Sequence, residues 1–451
     1  MHLAEGGGGD TLRAMYTRDA RIRFAVVGTG SRSVTYSHAL LGPYRERHDL
    51  VALCDANPGR MEFYNREFAE KFSAKPIPTY APADFERMIA EQRVGTVIVT
   101  TIDRAHAEFV VRAMNAGCDV ICEKPLTIDV PSYKLIDEAV QRTGRRLRVT
   151  MNMRYTPFTM MVKQALMQKV VGDVLSLHFE WNLDTSHGAD YFRRWHRDIR
   201  NSGGLLIHKS SHHFDIINWW LASQPKTVYG MGDLRFYGKA NAEARGDYRP
   251  YTRATGAAAA KGDPWALEMT GRNKAMYADQ EAHDAYQRDQ NVFGDGISIQ
   301  DDMAVMIRYR NRAVLTYHLV AYAPWEGFRC MITGTRGRLE VVNEANACVE
   351  GAEDPRLAMH GAVIRPQSGA VRSILVRPHW QKPYELPVPA AGDSHDGGDA
   401  LMVEELFGNG SESSAINRAS DHHDGLYSIL PGIAANRSFQ TGEAVEVDSL
   451  L

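Results

Sequence analysis

The sequence predicts an α/β protein with two unlike sheets: an amino-terminal doubly wound parallel sheet, then an α+β domain with an open, mostly antiparallel sheet. In the first 150 residues, short apolar runs rich in β-branched residues alternate with stretches of helical period, as in parallel sheets covered on both faces. From Val174 onward, several runs alternate polar and apolar residues, as in sheets with one buried face. The length of 451 residues also favours two domains, because common domains hold roughly 150.

The first domain is expected over residues 21–150, after a disordered lead-in of residues 1–20 that contains four consecutive glycines. Its predicted strands are Ile22–Gly28, Leu50–Cys54, Val94–Thr101, Asp119–Cys122 and Leu147–Met151. Its predicted helices are Arg60–Phe72, Ala83–Gln92, Ala105–Ala116 and Val130–Thr143. Every helix lies between two strands, which is the order that parallel pairing requires.

A glycine-rich loop of residues 28–33, with the sequence GTGSRS, directly follows the first predicted strand. Such glycines permit a tight turn and let the backbone approach a pyrophosphate, to which the following helix N-terminus offers free N–H groups. Ser33 replaces the third glycine of the G-x-G-x-x-G pattern and weakens the motif. Asp55, at the end of the second strand, is suited to accept hydrogen bonds from adenosine ribose hydroxyls. Loop and acid together predict a dinucleotide-binding (Rossmann) domain.

The same acid bears on which dinucleotide binds. A carboxylate at position 55 repels a 2′-phosphate, so we expect NAD rather than NADP. Arg32 and Arg60 are close enough in sequence to soften that preference.

The second domain is expected over residues 151–451. Its predicted strands are Val174–Trp181, Thr227–Phe236, Met303–Tyr309, Ala313–Ala321, Arg329–Thr333 and Arg338–Val342. A polar insertion of about residues 238–296 interrupts them and is too long for a hairpin loop, so we expect it to cover the site or to mediate contacts between subunits. A helical tail is expected at about residues 395–440.

Several motifs at the ends of the later strands resemble those of the Gfo/Idh/MocA oxidoreductases, a family named for glucose–fructose oxidoreductase, inositol dehydrogenase and a rhizopine-catabolism protein. The most specific is Glu123-Lys124-Pro125 after a strand; the resemblance continues through the segment from Gly203 to Asp215. It implies that the nicotinamide ring lies at the junction of the two domains.

The resemblance also implies which residues move protons. In the family, the lysine of Glu-Lys-Pro and an Asp-x-x-x-His pair converge on the substrate hydroxyl. Lys124 matches the lysine and His212 the histidine, whereas His208 stands at the aspartate position. We therefore expect these three residues to be catalytic, and we expect the substitution to remove a negative charge that would orient a neighbour and raise its pKa.

His208 and His212 could alternatively bind a metal, because residues four apart share one helical face. No acidic third ligand stands at the usual spacing, and hydride transfer needs no metal, so we expect none.

The resemblance and the glycine loop give the expected cofactor-binding residues: Gly28, Thr29, Gly30, Ser31, Arg32, Asp55, Arg60, Thr100, Thr101, His106, Glu123, Lys124 and Asn152. The segment from His187 to Arg197 interleaves aromatic residues with Arg and His, a composition that suits stacking on a sugar and binding its hydroxyls. The expected substrate-binding residues are Arg154, Tyr155, Arg193, Arg194, His196 and Lys209. If the segment faces the pocket, an anionic sugar is favoured; the alternative is a solvated basic loop.

Three functions follow. The first is an NAD-dependent oxidoreductase that transfers a hydride between a ring secondary-alcohol carbon of a carbohydrate or glycoside and nicotinamide. The second is an NAD-dependent glycoside hydrolase that acts on an anionic glycoside such as a sulfoquinovoside. It oxidises the sugar, eliminates the aglycone, adds water and reduces the ketone again, so that NAD is recycled. The third is a non-catalytic sensor, which Lys124 and His212 argue against.

Charge and hydropathy argue against other classes. The net charge of −3 gives no basic footprint for nucleic acid, and no apolar stretch of about 18 residues predicts a membrane span. The amino terminus lacks the apolar core of a secretory signal, so we expect a cytoplasmic protein. The family resemblance implies a homodimer or homotetramer.

Overall fold

The computed structural model describes residues 21–349, 370–390, 392, 396–408 and 416–451. The expected lead-in of residues 1–20 lies outside the described residues, as do parts of the expected helical tail.

The first sheet has six parallel strands in the order β3-β2-β1-β4-β5-β6. These are β1 (Ile22–Val27), β2 (His48–Cys54), β3 (Thr79–Tyr80), β4 (Thr96–Val99), β5 (Asp119–Cys122) and β6 (Leu147–Val149). Its helices are α1 (Ser33–Leu41), α2 (Pro58–Phe72), α3 (Phe85–Gln92), α4 (His106–Asn115) and α5 (Val130–Thr143). The strand order reverses between β1 and β4, which opens a crevice at the carboxyl ends of these strands. The predicted doubly wound sheet is confirmed.

Every residue of the central strands β4 and β5 is buried, because helices cover both faces of this sheet. The two-residue strand β3 was not predicted, since a run so short carries no periodicity.

The second sheet has nine strands in the order β14-β13-β12-β11-β7-β10-β9-β8-β15. They are β7 (Val174–Asp184), β8 (Pro225–Asp233), β9 (Asp302–Tyr309), β10 (Val314–Ala323), β11 (Gly327–Gly334), β12 (Gly337–Glu344), β13 (Val371–Pro378), β14 (Tyr384–Glu385) and β15 (Val445–Glu446). Among the described strands of this sheet, only β7 and β10 pair in parallel, and burial alternates along β9 and β10 as a sheet with one covered face requires. The open, mostly antiparallel sheet is therefore confirmed.

The strand expected to reach Phe236 ends at Asp233. The cause is Asp301, whose carboxylate accepts hydrogen bonds from the backbone N–H groups of Arg235, Phe236 and Tyr237. Those donors are thereby diverted from strand pairing, and the chain turns into the insertion.

The helices of the second half are α6 (Pro157–Met167), α7 (Thr185–Arg193), α8 (Ile199–Ser202), α9 (Leu205–His208), α10 (Ser211–Leu221), α11 (Lys239–Arg245), α12 (Gly271–Met276), α13 (Glu281–Asp284), α14 (Gly398–Phe407) and α15 (His422–Thr441). Helix α15 begins with a capping box, in which Asp421 and Asp424 each bond the other's backbone N–H. None of the described helices is long and apolar enough to cross a membrane.

The insertion lies between β8 and β9 and contains the short helices α11 to α13. It reaches the first sheet, because Met276 and Tyr277 belong to the same buried apolar cluster as Tyr64 and Phe68 of α2. The insertion therefore packs beside the crevice at the carboxyl ends of β1 and β2.

Candidate functional site

The glycine loop after β1 closes against the turn after β4. Gly28 has φ +89°, and a Cβ there would lie 2.6 Å from the backbone nitrogen of Thr101, so only glycine fits. Thr100 donates its hydroxyl to the carbonyl oxygen of Gly28 at 2.6 Å. A Cβ on Gly30 would meet no atom of the described chain within 4 Å, apart from its chain neighbours. Open space therefore lies beside the loop at the N-terminus of α1, as a bound phosphate requires.

Asp55 is buried beneath this loop at the end of β2. Its Oδ2 accepts from the N–H of Thr29 at 2.5 Å and from the Thr29 hydroxyl at 2.9 Å. Its Oδ1 accepts from the N–H of Asn57 at 2.8 Å and from Arg60 at 3.1 Å. A ribose hydroxyl would have to replace one of these donors. Arg60 also pairs with Asp284 of the insertion at 2.6 Å.

Arg32 and Asn152 do not face the open side of the loop. Arg32 pairs with Glu123 and makes a two-pronged bond to Asp399 at 2.8 and 2.9 Å, and Asn152 donates to Asp399 at 2.8 Å. Burial opposes ionisation of Glu123, yet Arg32 and the hydroxyl of Tyr36 hold its pKa below the usual value. This network joins the glycine loop to α14.

Lys124 lies beside a cis peptide bond to Pro125, at the end of β5. Its Nζ donates to the carbonyl oxygen of His208 at 3.1 Å. Burial lowers the pKa of Lys124 to about 8, although Asp103 and Glu123 oppose the shift. The amine can therefore take or give a proton near neutral pH.

His106 contacts two turns, the one that contains Lys124 and the one that follows β4. Its Nδ1 lies 2.7 Å from the carbonyl oxygen of Pro125, and its Nε2 lies 3.1 Å from that of Thr101. The buried ring thus fixes the position of Lys124 relative to the loop after β4.

A carboxylate stands beside His208 after all. The Nδ1 of His208 lies 2.6 Å from Oδ2 of Asp103, and both side chains are buried. The expected loss of a negative charge at this position is therefore wrong, because the turn after β4 supplies the charge that the neighbouring sequence lacks. Burial raises the pKa of Asp103, and the ammonium of Lys124 opposes that rise. Sequence reasoning missed Asp103, whose only signal is its place at the carboxyl end of a central strand.

His208 and His212 lie in two consecutive helices. Helix α9 ends at His208, residues 209–210 form a turn, and α10 begins at Ser211. The expectation that these two histidines bind no metal therefore stays a prediction. His212 is buried in the first turn of α10. Among the described residues, one set of three potential metal ligands lies within 4.8 Å of one another: Asp137, His422 and His423, on α5 and α15.

The basic segment before His208 is buried, so the alternative of a solvated loop is wrong. Arg193 donates to the carbonyl oxygen of Trp265 at 3.1 and 2.7 Å, and Arg197 donates to that of Asp295 at 2.6 Å. Arg194 pairs with Asp190 at 2.7 Å. Arg193 and Arg197 thus hold the backbone of the insertion.

The aromatic rings of the same segment line His208. His196 stacks on Trp195 with ring centroids 3.6 Å apart and lies 4.3 Å from the ring of His208. The Nζ of Lys209 lies 4.9 Å from the centroid of the Trp181 ring, and its positive charge lowers the pKa of Lys124.

Arg154 and Tyr155 are directed toward the C-terminal helices. Arg154 makes a two-pronged ion pair with Asp215 at 2.7 and 2.6 Å and also contacts Asp424. Tyr155 donates to Glu405 at 2.8 Å. The structure therefore brings together Lys124, His208 and Lys209, but not Arg154 and Tyr155, which are tied into structural pairs.

Open space beside the glycine loop at the strand-order reversal, a lysine whose pKa burial lowers to about 8 and an adjacent Asp103–His208 pair are features of a dinucleotide-dependent oxidoreductase. The chain belongs to the Gfo/Idh/MocA oxidoreductase family: its NAD-binding Rossmann fold matches residues 22–151 and its C-terminal α/β domain matches residues 163–447.

Relatives fall into the same group. The chain is 28% identical over 426 residues to a protein of Bacillus subtilis (strain 168) named oxidoreductase YteT, covering 91% of this chain and 94% of that one. It is 25% identical over 207 residues to inositol 2-dehydrogenase of Rhizobium meliloti (strain 1021), covering 46% of this chain but only 57% of that relative. Aldose–aldose oxidoreductase from Caulobacter crescentus shares the fold, with a TM-score of 0.60 at 14% identity over 95% of this chain and 100% of that one.

Proposed function

We propose that this protein is an NAD-dependent oxidoreductase that transfers a hydride between a ring secondary-alcohol carbon of a carbohydrate, cyclitol or glycoside and nicotinamide. The observation that carries the proposal is Lys124, an amine with a pKa of about 8 at the end of β5 beside the His208–Asp103 pair. The inositol dehydrogenases among the relatives favour a polyhydroxylated ring as substrate.

The cofactor would supply the hydride acceptor, and the chain's own residues would manage the proton. Lys124 in its amine form takes the hydroxyl proton of the substrate, and His212 is the second proton-transfer group. Asp103 fixes the ring orientation of His208 through Nδ1, so that Nε2 can accept a proton and the protonated ring can then donate from Nε2 to the developing oxyanion. Trp195 and His196 offer ring faces next to that position.

NAD is favoured over NADP because Asp55 lies beneath the glycine loop and the charge of Arg60 is matched by Asp55 and Asp284.

A second function is favoured by one observation. A glycosidase that oxidises, eliminates, hydrates and reduces needs an additional acid–base group, and the buried His208–Asp103 pair could provide it beside Lys124. An anionic substrate has weaker support, because Arg193 and Arg197 donate to backbone carbonyls of the insertion. Lys209 is the remaining candidate for binding a negative group.

The proposed homodimer or homotetramer has one supporting feature. Three large apolar side chains are exposed on adjacent strands β8, β9 and β10, namely Met231, Met306 and Val314. A second copy could cover them.

The test incubates the protein and NAD with neutral and anionic sugars and their 4-nitrophenyl glycosides, and follows NADH and nitrophenolate absorbance together. Stoichiometric NADH without nitrophenolate supports the oxidoreductase, whereas repeated nitrophenolate release at catalytic NAD supports the glycosidase. Lys124→Met should reduce either activity by about 10²- to 10⁴-fold while NAD affinity, measured by calorimetry, stays within a few-fold. Turnover like that of the wild type would remove Lys124 from the mechanism.

A further inference from the structure

The guanidinium of Arg288 is buried without a counter-charge. Its side chain is 1% exposed, and none of its three nitrogen atoms has a hydrogen-bond partner among the described residues. Transferring an unpaired cation out of water is costly, and buried charges in proteins are normally paired. Arg288 lies in the insertion, which sequence reasoning treated only as a cover or a contact surface. The unpaired cation therefore points to an anion that binds here.

Arg288 is connected to the glycine loop through Tyr277. Its guanidinium carbon lies 4.6 Å from the centroid of the Tyr277 ring. The Tyr277 hydroxyl accepts a hydrogen bond from the N–H of Ser31 at 3.0 Å and lies 2.7 Å from the Ser31 hydroxyl. Ser31 stands just before α1, where a helix N-terminus attracts negative charge. A buried cation of the insertion thus stands next to the anion-binding end of the first helix.

The surroundings of Tyr277 are electropositive. Burial would raise the pKa of Tyr277, yet it is lowered, first by Arg288, then by the hydrogen bond to Ser31, and further by Arg194 and Arg60. Arg194 and Arg60 are each paired with a carboxylate. Of the three arginines that act on Tyr277, Arg288 is therefore the one whose charge has no carboxylate partner among the described residues.

We propose that Arg288 binds the diphosphate of the dinucleotide cofactor, so that the insertion supplies part of the phosphate site. The Tyr277 hydroxyl occupies the N–H of Ser31 in the structure and gives it up when the diphosphate binds. This inference rests on the proposed function for the identity of the cofactor. A guanidinium suits the role because it donates several hydrogen bonds in one plane to phosphate oxygens.

The same stretch of the insertion is fastened across the adenosine side of the crevice. Asn57 donates its side-chain amide to the carbonyl oxygen of Gln280 at 3.0 Å, and Asp284 pairs with Arg60 at 2.6 Å. A cofactor held under this segment would leave only when the segment opens. Its release should therefore be slow.

The experiment measures binding and needs no turnover. Calorimetry compares NAD, ADP and adenosine, because ADP and adenosine share adenine and ribose but only ADP carries a diphosphate. Arg288→Met should weaken NAD and ADP by about tenfold or more and leave adenosine unchanged. The melting temperature of the cofactor-free variant should stay equal or rise, because an unpaired buried charge has been removed.

Arg272→Met is the matched control, since Arg272 belongs to the same insertion but pairs with Glu67. It should change the affinities for ADP and adenosine by the same factor. If Arg288→Met does not fold, Arg288→Lys replaces it: a point charge without the planar fork should bind ADP several-fold more weakly and adenosine normally.

An unchanged ratio of ADP to adenosine affinity in the Arg288 variants would overturn the inference. If the wild-type protein forms NADH and the Arg288→Met variant binds NAD normally, the inference about Arg288 is overturned and the proposed function is not. Wild-type protein that binds neither NAD, NADP nor ADP would overturn the proposed function with it.

Discussion

The acid–base character of the site depends on Asp103, a residue that no sequence motif around it identifies. Asp103 follows β4, whereas His208 ends α9, yet their side chains share a hydrogen bond of 2.6 Å. A carboxylate on Nδ1 selects the tautomer and orientation of a histidine ring. The negative charge of Asp103 also raises the pKa of Lys124, against the lowering by burial. One carboxylate from the first domain thus tunes both groups.

This coupling predicts a pH dependence. Lys124 must be an amine to take a proton, so the rate of substrate oxidation should rise with pH, with its midpoint at about pH 8. Asp103→Asn removes the charge that raises the pKa of Lys124, so the midpoint should move to lower pH while the maximal rate falls. The measurement is kcat/KM for oxidation between about pH 6 and pH 10 for both proteins. A midpoint that stays in place or rises would show that Asp103 does not act on Lys124.

At the level of elements, the basic segment and the insertion form one unit. Arg193→Ala removes two part-buried hydrogen bonds to the carbonyl oxygen of Trp265. We expect faster proteolytic cleavage within residues 238–296, and KM changes of equal size for neutral and anionic sugars. Limited proteolysis and steady-state kinetics test this. A larger KM increase for anionic sugars would return Arg193 to the substrate pocket.

The elements that were predicted are those with a strong periodic signal. Five of the six parallel strands and the helices α2 to α5 follow from apolar runs and turns, and the glycine loop follows from its position after β1. The two-residue strands β3, β14 and β15 carry no period, and their pairing depends on neighbours distant in sequence. The break between α9 and α10 was not predicted because residues 209–210 contain no Gly or Pro, the residues that usually indicate a turn. Side-chain pairs such as Arg32 with Asp399 join residues far apart in sequence and leave no local pattern.

At the scale of the whole molecule, ion pairs of the buried Arg154 join the end of the first sheet to the helices of the second half. Arg154 follows β6, Asp215 lies in α10, and Asp424 begins α15. Burial raises the pKa of Asp215 to about 6, and Arg154 opposes that rise. The ion pair therefore keeps a buried carboxylate ionised where the two halves meet.

Arg154→Met should leave Asp215 without its main counter-charge and raise the pKa of Asp215 further. Removing one partner of a buried pair costs about 3–5 kcal/mol, so the free energy of unfolding at pH 7 should fall by that order. At pH 5 the loss should be smaller, because the folded state can then bind a proton on Asp215 that the unfolded chain binds less readily. Urea unfolding at both pH values measures this. The double variant Arg154→Met with Asp215→Leu should recover most of the stability, since no buried charge is left unpaired. An equal loss at both pH values, with no recovery in the double variant, would mean that packing around Arg154, and not its charge, holds the two halves together.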